Sequence, residues 1–372
     1  MVWLRIIIKG YPWAVSFSDT TDIKSVIAEI DKALATFCRT ETQYLSTIGS
    51  EMNPVALAME KFILQGGKRL RPLFAYVGYI ASGGVPNDSV FKAFASLELV
   101  HACALIHDDV MDGSDTRRGE PAIHKQFEEL HRKNNLTGSA EKFGAASAIL
   151  LGDLALIWAA QMFHSSKISE LQIQRALPIY DEMRVELMAG QYLDVYEQAL
   201  ASQSVDRSMK VARFKSGKYT IERPLHFGLK LNEKSAPELQ TAFTEYGIPL
   251  GEAFQLRDDV LGIFGDPIET GKPAGDDLRE GKRTVLMAKA VELANPAQRE
   301  SLLNYLGKSD LSVADVTTAQ QIIIETGALA AIEKMIIELS ESAAQAISKV
   351  PITDDGRRLL NELIVLSTKR KI

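Results

Sequence analysis

Residues 91–112 read FKAFASLELVHACALIHDDVMD, and the reading of this stretch decides the fold. From Phe91 to Ile106 it is apolar nearly all round, without the polar stripe that a surface helix turns to water. Such a helix belongs in the middle of a bundle. It runs straight into Asp108, Asp109 and Asp112, so it leads negative charge to the mouth of a bundle or to a cavity. Residues 247–257, GIPLGEAFQLR, have the same character and end in Asp258 and Asp259.

Working outward from these two segments, apolar residues recur at three- and four-residue spacing from about residue 22 onward, and alternating strand patterns are scarce. The spacing predicts helices over roughly 22–48, 53–65, 69–82, 89–112, 121–132, 142–164, 169–200, 207–230, 236–264, 283–293, 297–306, 313–325 and 328–349. Turn-rich stretches separate them, among them GGVPND at 83–88 and GDPIETGKPAGDD at 265–277. No low-complexity linker divides the chain. The expectation is one all-α domain over 19–372, preceded by a short tail at 1–18.

The chain has 372 residues, 46% hydrophobic and 24% charged, with a net charge of −6. That charge gives no support to nucleic-acid binding, which shows a basic surplus. The apolar run at the N-terminus is broken by Arg5 and Lys9, so no membrane-spanning segment is expected. Cys38 and Cys103 are far apart and lack metal-site spacing, which points to a reducing, cytoplasmic setting.

Asp108 and Asp112 are four residues apart, which puts them on one helical face about 6 Å apart along the axis. Asp109 is turned by about 100°. His101 and Ala104 fall near the Asp108 stripe. Carboxylates so spaced suit Mg²⁺, which takes one or two of them and shares its remaining positions with water and phosphate oxygens. Arg117 and Arg118 follow, with forked donors that match phosphate. DDVMD alone reads equally well as a capped helix end.

GGKRLRP, residues 66–72, offers close backbone approach to an anion, with Lys68, Arg69 and Arg71 adding charge. In QLRDDVLGIFGD, Gln255, Asp258 and Asp259 share a face, and Gly262 stands where Asp112 stands in the first cluster. The Gly-rich loop beyond carries Lys272 and Lys282. FKSGKYT places Lys215 and Ser216 in an apolar helix. Gln191 and Asp194 of GQYLD read as an internal polar pair holding helices in register. Two acidic clusters, separate cationic groups and long apolar helices suit a substrate with a diphosphate head and a hydrocarbon tail. No phosphate-loop or dinucleotide fingerprint is present.

In order and spacing, GGKRLRP, HDDVMD with RRG, GQYLD, KSG and FQLRDDVLGIFGD with TGK and EGK resemble the trans-isoprenyl diphosphate synthases, the polyprenyl synthetase family. The resemblance implies an all-α bundle around a deep central cavity, usually a homodimer, with three Mg²⁺ per active site. It implies that Asp108, Asp112 and Asp258 are metal ligands. Lys68, Arg71, His101 and Arg118 would bind isopentenyl diphosphate. Arg117, Lys215, Ser216, Gln255, Lys272 and Lys282 would hold the allylic diphosphate. Ser216 stands where many members have Thr, and Gly262 departs from the usual third aspartate.

The same resemblance implies transfer of an allylic group onto isopentenyl diphosphate. In short-chain members bulky aromatics near Cys103 and Ala104 close the tail pocket. Both residues are small here, so a lower floor is expected at Val100, or at Trp158, Met162 and Phe163. The expected product is geranylgeranyl diphosphate, with longer chains or farnesyl diphosphate as alternatives. A class I terpene cyclase and a non-catalytic partner subunit are the remaining readings. The second diphosphate site argues against the first, and the near-complete motifs against the second.

Overall fold

The structure, a computed structural model, describes residues 21–266 and 273–369. The expected tail at 1–18 and Lys272 lie outside the described residues. The chain begins with α1 (Thr21–Ile48), α2 (Asn53–Leu64), α3 (Leu70–Ala81) and α4 (Asp88–Asp112). A hairpin of two-residue strands follows, β1 (Thr116–Arg117) and β2 (Glu120–Pro121), then α5 (Ile123–Lys133), α6 (Ala140–His164) and α7 (Glu170–Ala199). Next come α8 (Val205–Val211), a π-helical segment (Ala212–Glu222), α9 (Arg223–Leu231) and α10 (Leu239–Phe264). The chain closes with α11 (Asp276–Arg279), α12 (Val285–Leu293), α13 (Pro296–Tyr305), α14 (Val313–Glu325), α15 (Ala328–Ile347) and α16 (Asp354–Thr368). The fold is all-α, as expected.

Side-chain caps explain several starts. Asn87 accepts from the Val90 amide to open α4, and Ser169 with Gln172 forms a capping box on α7. Gly113, at φ 66, ends α4 in the left-handed conformation.

Four departures from the expected helices stand out. Residues 116–121 turn as a hairpin, because Arg118 (φ 54) and Gly119 (φ 76) both take the positive φ that a tight two-residue turn needs. The stretch expected as one helix over 207–230 is three pieces with a π-helix in the middle. The short helix α11 falls inside the loop expected over 265–277 and just beyond it. α16 lies beyond the last expected helix; Leu359, Leu360, Leu363 and Ile364 supply its buried stripe and Thr353 its cap.

α4 runs through the centre, with Phe94, Leu97, Val100, Cys103 and Ile106 fully buried. It packs most extensively on α6, while α10 packs on α15 and on the π segment. α10 joins two apolar cores. Tyr246 and Leu250 belong to the larger, and Leu256 and Val260 to the smaller. Both α4 and α6 are long and apolar enough to cross a bilayer by composition alone. Two-thirds of α4's apolar stretch is buried in the bundle, whereas α6 leaves Ile149, Leu150 and Ile157 exposed.

The π segment is clamped from both sides. A side-chain carbon on Gly190 of α7 would strike the backbone of Lys215, and one on Gly251 of α10 would strike Gly217. Behind it, Arg223 pairs with Glu186 and Glu182, both at 2.7 Å. His226 is buried between Arg223 and α10. Its Nε2 donates to the Gln240 carbonyl at 3.1 Å and its Nδ1 faces the Arg223 guanidinium at 3.4 Å. Burial, reinforced by Arg223, pushes the His226 imidazole down to about 3.

Candidate active site

The central helices open into a cavity of about 690 Å³. Its walls bring together Lys68, Arg71, His101, Ala104, Asp108, Arg117, Arg118, Lys215, Ser216, Gln255, Asp258 and Lys282. These residues come from α4, α10, the hairpin, the π segment and the loops around α3 and α11, so the fold assembles what the sequence scatters.

Asp108 is the hub. Lys215 Nζ lies 2.9 Å from its Oδ1, Gln191 Nε2 donates to the same oxygen at 3.0 Å, and Arg117 approaches at 3.7 Å. Lys215 also reaches Asp194 at 2.6 Å. Burial would raise the Asp108 carboxyl. Lys215, Lys282 and Arg117 outweigh it and hold Asp108 well below the usual carboxylate range. One turn on, Asp112 pairs with Lys282 at 2.9 Å, and Lys282 also reaches Glu280 at 2.6 Å. Burial raises the Asp112 carboxyl against the pull of Lys282.

Asp109 points elsewhere, as its 100° rotation requires. It is fully buried and takes the guanidinium of Arg117, whose Nε donates at 2.9 Å. The acid next to the metal-type pair therefore aims the first arginine at the cavity. Arg118 turns the other way and caps the end of α2, donating to the Gln65 carbonyl at 2.8 Å.

A second cationic corner surrounds Tyr219. Arg71 Nη2 donates to the Tyr219 hydroxyl at 2.5 Å and to Thr220 Oγ1 at 2.8 Å, with its guanidinium 4.2 Å from the Tyr219 ring centre. His101 Nδ1 lies 3.0 Å from the same hydroxyl. Burial, with Arg71, Arg118 and Arg117 around it, pushes the His101 imidazole well down, so it is neutral at pH 7. Arg69, between Lys68 and Arg71 in sequence, is structural. It is buried, with φ 48, and pairs with Glu98 at 2.9 Å and Asp31 at 2.8 Å.

Across the cavity, Asp258 and Asp259 both lie along the wall. Asp259 accepts from Gln255 at 2.8 Å and from the Val285 amide opening α12 at 3.0 Å, and burial pushes its carboxyl up to about 7. At Gly262 the structure supplies a carboxylate from elsewhere. A side-chain carbon there would collide with Asp277 of α11, which lines the same cavity.

Of the expected tail-pocket residues, Ala104 lines the cavity. Cys103 is buried with its sulfur 3.8 Å from His107 Nδ1, and Val100 is buried a turn deeper. Phe163 packs tilted against Tyr180 and edge-on against Phe227, whereas Trp158 packs edge-on against Phe37 of α1 and Met162 is buried in the core. Gln191 and Asp194, expected as an internal polar pair, tie α7 to Asp108 of α4 and to Lys215 of the π segment. The sequence reading passed over Tyr219, Asp277 and Glu280. Their spacing to Lys215 and Lys282 was the only signal.

Among the described residues, no three His, Cys, Asp or Glu side chains converge tightly enough to cage a cation by themselves. The donor set nonetheless fits Mg²⁺. The oxygens are hard carboxylates on facing helices, and ammonium tips already supply positive charge at Asp108 and Asp112.

Comparison with known proteins agrees with this geometry. The sequence profile of the polyprenyl synthetase family matches residues 53–323. The geranylfarnesyl diphosphate synthase of Aeropyrum pernix is 33% identical over 307 residues, 81% of this chain and 90% of that protein. A geranylgeranyl pyrophosphate synthase of Corynebacterium glutamicum, solved with isoprenyl diphosphate and magnesium, is 41% identical with a TM-score of 0.90, covering 94% of this chain and 100% of that one. A polyprenyl synthase of Caulobacter crescentus, solved with calcium and isoprenyl diphosphate, is 26% identical with a TM-score of 0.75, covering 94% and 96%.

Proposed function

The chain belongs to the polyprenyl synthetase family and is a prenyltransferase; on that premise we propose that it condenses isopentenyl diphosphate head to tail with allylic diphosphates and stops at the C20 product, geranylgeranyl diphosphate. The observation that carries this reading is the pair of cationic corners, at Lys215–Arg117–Lys282 and at Arg71–His101–Lys68, in one cavity with acidic helix ends between them. Two diphosphates need two such corners.

Asp108, Asp112 and Asp258 would hold the divalent ions, three Mg²⁺ per site. When bound, these ions supply the positive charge that makes a diphosphate a good leaving group. The chain's own part follows from its charges. Lys215, Arg117, Lys282, Ser216, Gln255 and Lys272 grip the allylic diphosphate as its C–O bond breaks, so charge develops against fixed donors. Lys68, Arg71, His101 and Arg118 hold isopentenyl diphosphate with its double bond facing the allylic cation. Neutral His101 offers one N–H and adds no charge to a corner already rich in arginine. The apolar wall at Ala104, Leu105 and Leu187 keeps water from the cation. The double bond attacks, and the released diphosphate takes the departing proton.

Cys103, Ala104, Val100 and Phe163 would set chain length. The exposed apolar side chains Ile149, Leu150 and Ile157 on α6 support a homodimer. The two buried free cysteines support a cytoplasmic setting, and residues 19–372 a single synthase domain. The test is incubation of the purified chain with radiolabelled isopentenyl diphosphate and farnesyl diphosphate. The expected result is a labelled C20 diphosphate. No elongation of any allylic starter overturns the reading.

A further inference from the structure

The π segment carries parts of both cationic corners. At one, Lys215 reaches Asp108 at 2.9 Å and Asp194 at 2.6 Å. At the other, Tyr219 and Thr220 both accept from the same nitrogen, Arg71 Nη2, at 2.5 and 2.8 Å. An α-helix turns about 100° per residue, so Tyr219 would lie about 40° and Thr220 about 140° round from Lys215. The second angle points Thr220 away from the cavity side. In a π-helix the hydrogen bonds span five residues, so the positions four and five along both return to the starting side. The wider turn lets two hydroxyls close on one guanidinium while Lys215 stays on Asp108.

The form is rare in proteins, so something outside the segment must favour it here. The glycine clamp makes room without choosing a register, because Gly190 and Gly251 meet backbone atoms. The choice falls to charged side chains turned from the cavity. Lys218 pairs with Glu186 of α7 at 2.5 Å and faces Glu222 at 3.6 Å. Arg223, the first residue of α9, pairs with the same Glu186 at 2.7 Å and faces Glu222 at 4.0 Å. Thr244 of α10 donates to Glu222 Oε1 at 3.0 Å, whereas the buried Oε2 has no hydrogen bond and relies on the two cations. Glu222 and Arg223 are buried, and none of the four charged residues lines the cavity. A slip to the α register would turn Lys218 relative to Arg223 and leave buried charge unpaired, which folded chains resist strongly.

We infer that this ion-pair lattice is the lock on the π form, and that Glu186, Lys218 and Arg223 are positioning residues that hold both cationic corners at once. They act through Lys215 at one corner and through Tyr219 and Thr220 on Arg71 at the other. The kinetic consequence rests on the prenyl-transfer reading; the structural consequence does not.

The test uses Glu186→Gln and Lys218→Met in the full chain, with two readouts. Amide hydrogen exchange without substrate is expected to speed up by about tenfold or more over residues 212–222 and to stay at the wild-type rate over 91–106 of α4. Steady-state kinetics is expected to show kcat/KM falling by about tenfold for isopentenyl diphosphate and for the allylic diphosphate alike. Lys215→Met, which touches one corner, is expected to fall mainly for the allylic substrate. Unchanged exchange over 212–222 in the two lock variants overturns the inference. So does a kinetic loss confined to one substrate. Faster exchange throughout the chain, or failure of both variants to fold, also overturns it, because the pairs would then serve general stability and not the π form. A wild-type chain that elongates nothing refutes prenyl transfer itself, and the exchange readout still decides the lock.

Discussion

Lowering the pH from 7 to 5 is expected to destabilise the protein through His226, and the size of the effect follows from its surroundings. The ring is buried, its Nε2–H is committed to the Gln240 carbonyl, and its Nδ1 faces a guanidinium. A second proton would point an N–H at Arg223. The folded chain therefore takes that proton only near pH 3, whereas the unfolded chain takes it near 6.5. Below pH 6.5 the unfolded state binds more protons, so stability falls as pH falls, by up to about 1.4 kcal/mol per unit until the folded pKa is reached. At pH 5 protonation favours the unfolded chain about 30-fold, against almost nothing at pH 7, a loss of about 2 kcal/mol. Urea unfolding at the two pH values measures it, with His226→Gln as the reference because Gln keeps a donor but does not titrate. Wild type should lose about 2 kcal/mol more than the variant over this interval. Equal losses in the two proteins would refute the buried-neutral account of His226.

Three further outcomes are expected. Lys215→Met should lower kcat/KM for the allylic substrate by about 10² to 10³, the usual cost of removing one donor from developing charge, and steady-state kinetics checks it. Arg69→Met should cost about 3 to 5 kcal/mol in urea unfolding, because it strands Glu98 in the interior, and stability unchanged within error would show that the pair is not a buried one. Chelation of divalent ions should stop turnover and added Mg²⁺ should restore it, while turnover in excess chelator would remove any role for the carboxylates as ligands.

Much of this was legible in the chain because local rules carried it. The all-round apolar character of residues 91–106 placed α4 at the centre, and the four-residue spacing put Asp108 on the cavity wall and Asp112 one turn on, against Lys282. The 100° turn of Asp109 anticipated its separate task. What the sequence concealed were partners far along the chain. Nothing near Asp194 says that it will meet Lys215, and nothing near Tyr219 says that Arg71 and His101 will close on it. The π-helix was hidden for another reason. Its residues carry ordinary helical preferences, and the clamp between Gly190 and Gly251 comes from packing. α16 was legible and overlooked, since Leu359, Leu360, Leu363 and Ile364 keep helical spacing behind a threonine cap.

The carboxylate of Asp277 fills the space that a side chain at position 262 would need. A side chain at 262 therefore requires Asp277 to move aside. Alanine at 262 would evict the neighbour, and aspartate would set two like charges in one pocket. A column-by-column alignment would score Gly262 as a lost acid. In space a carboxylate still stands beside that position, carried by Asp277.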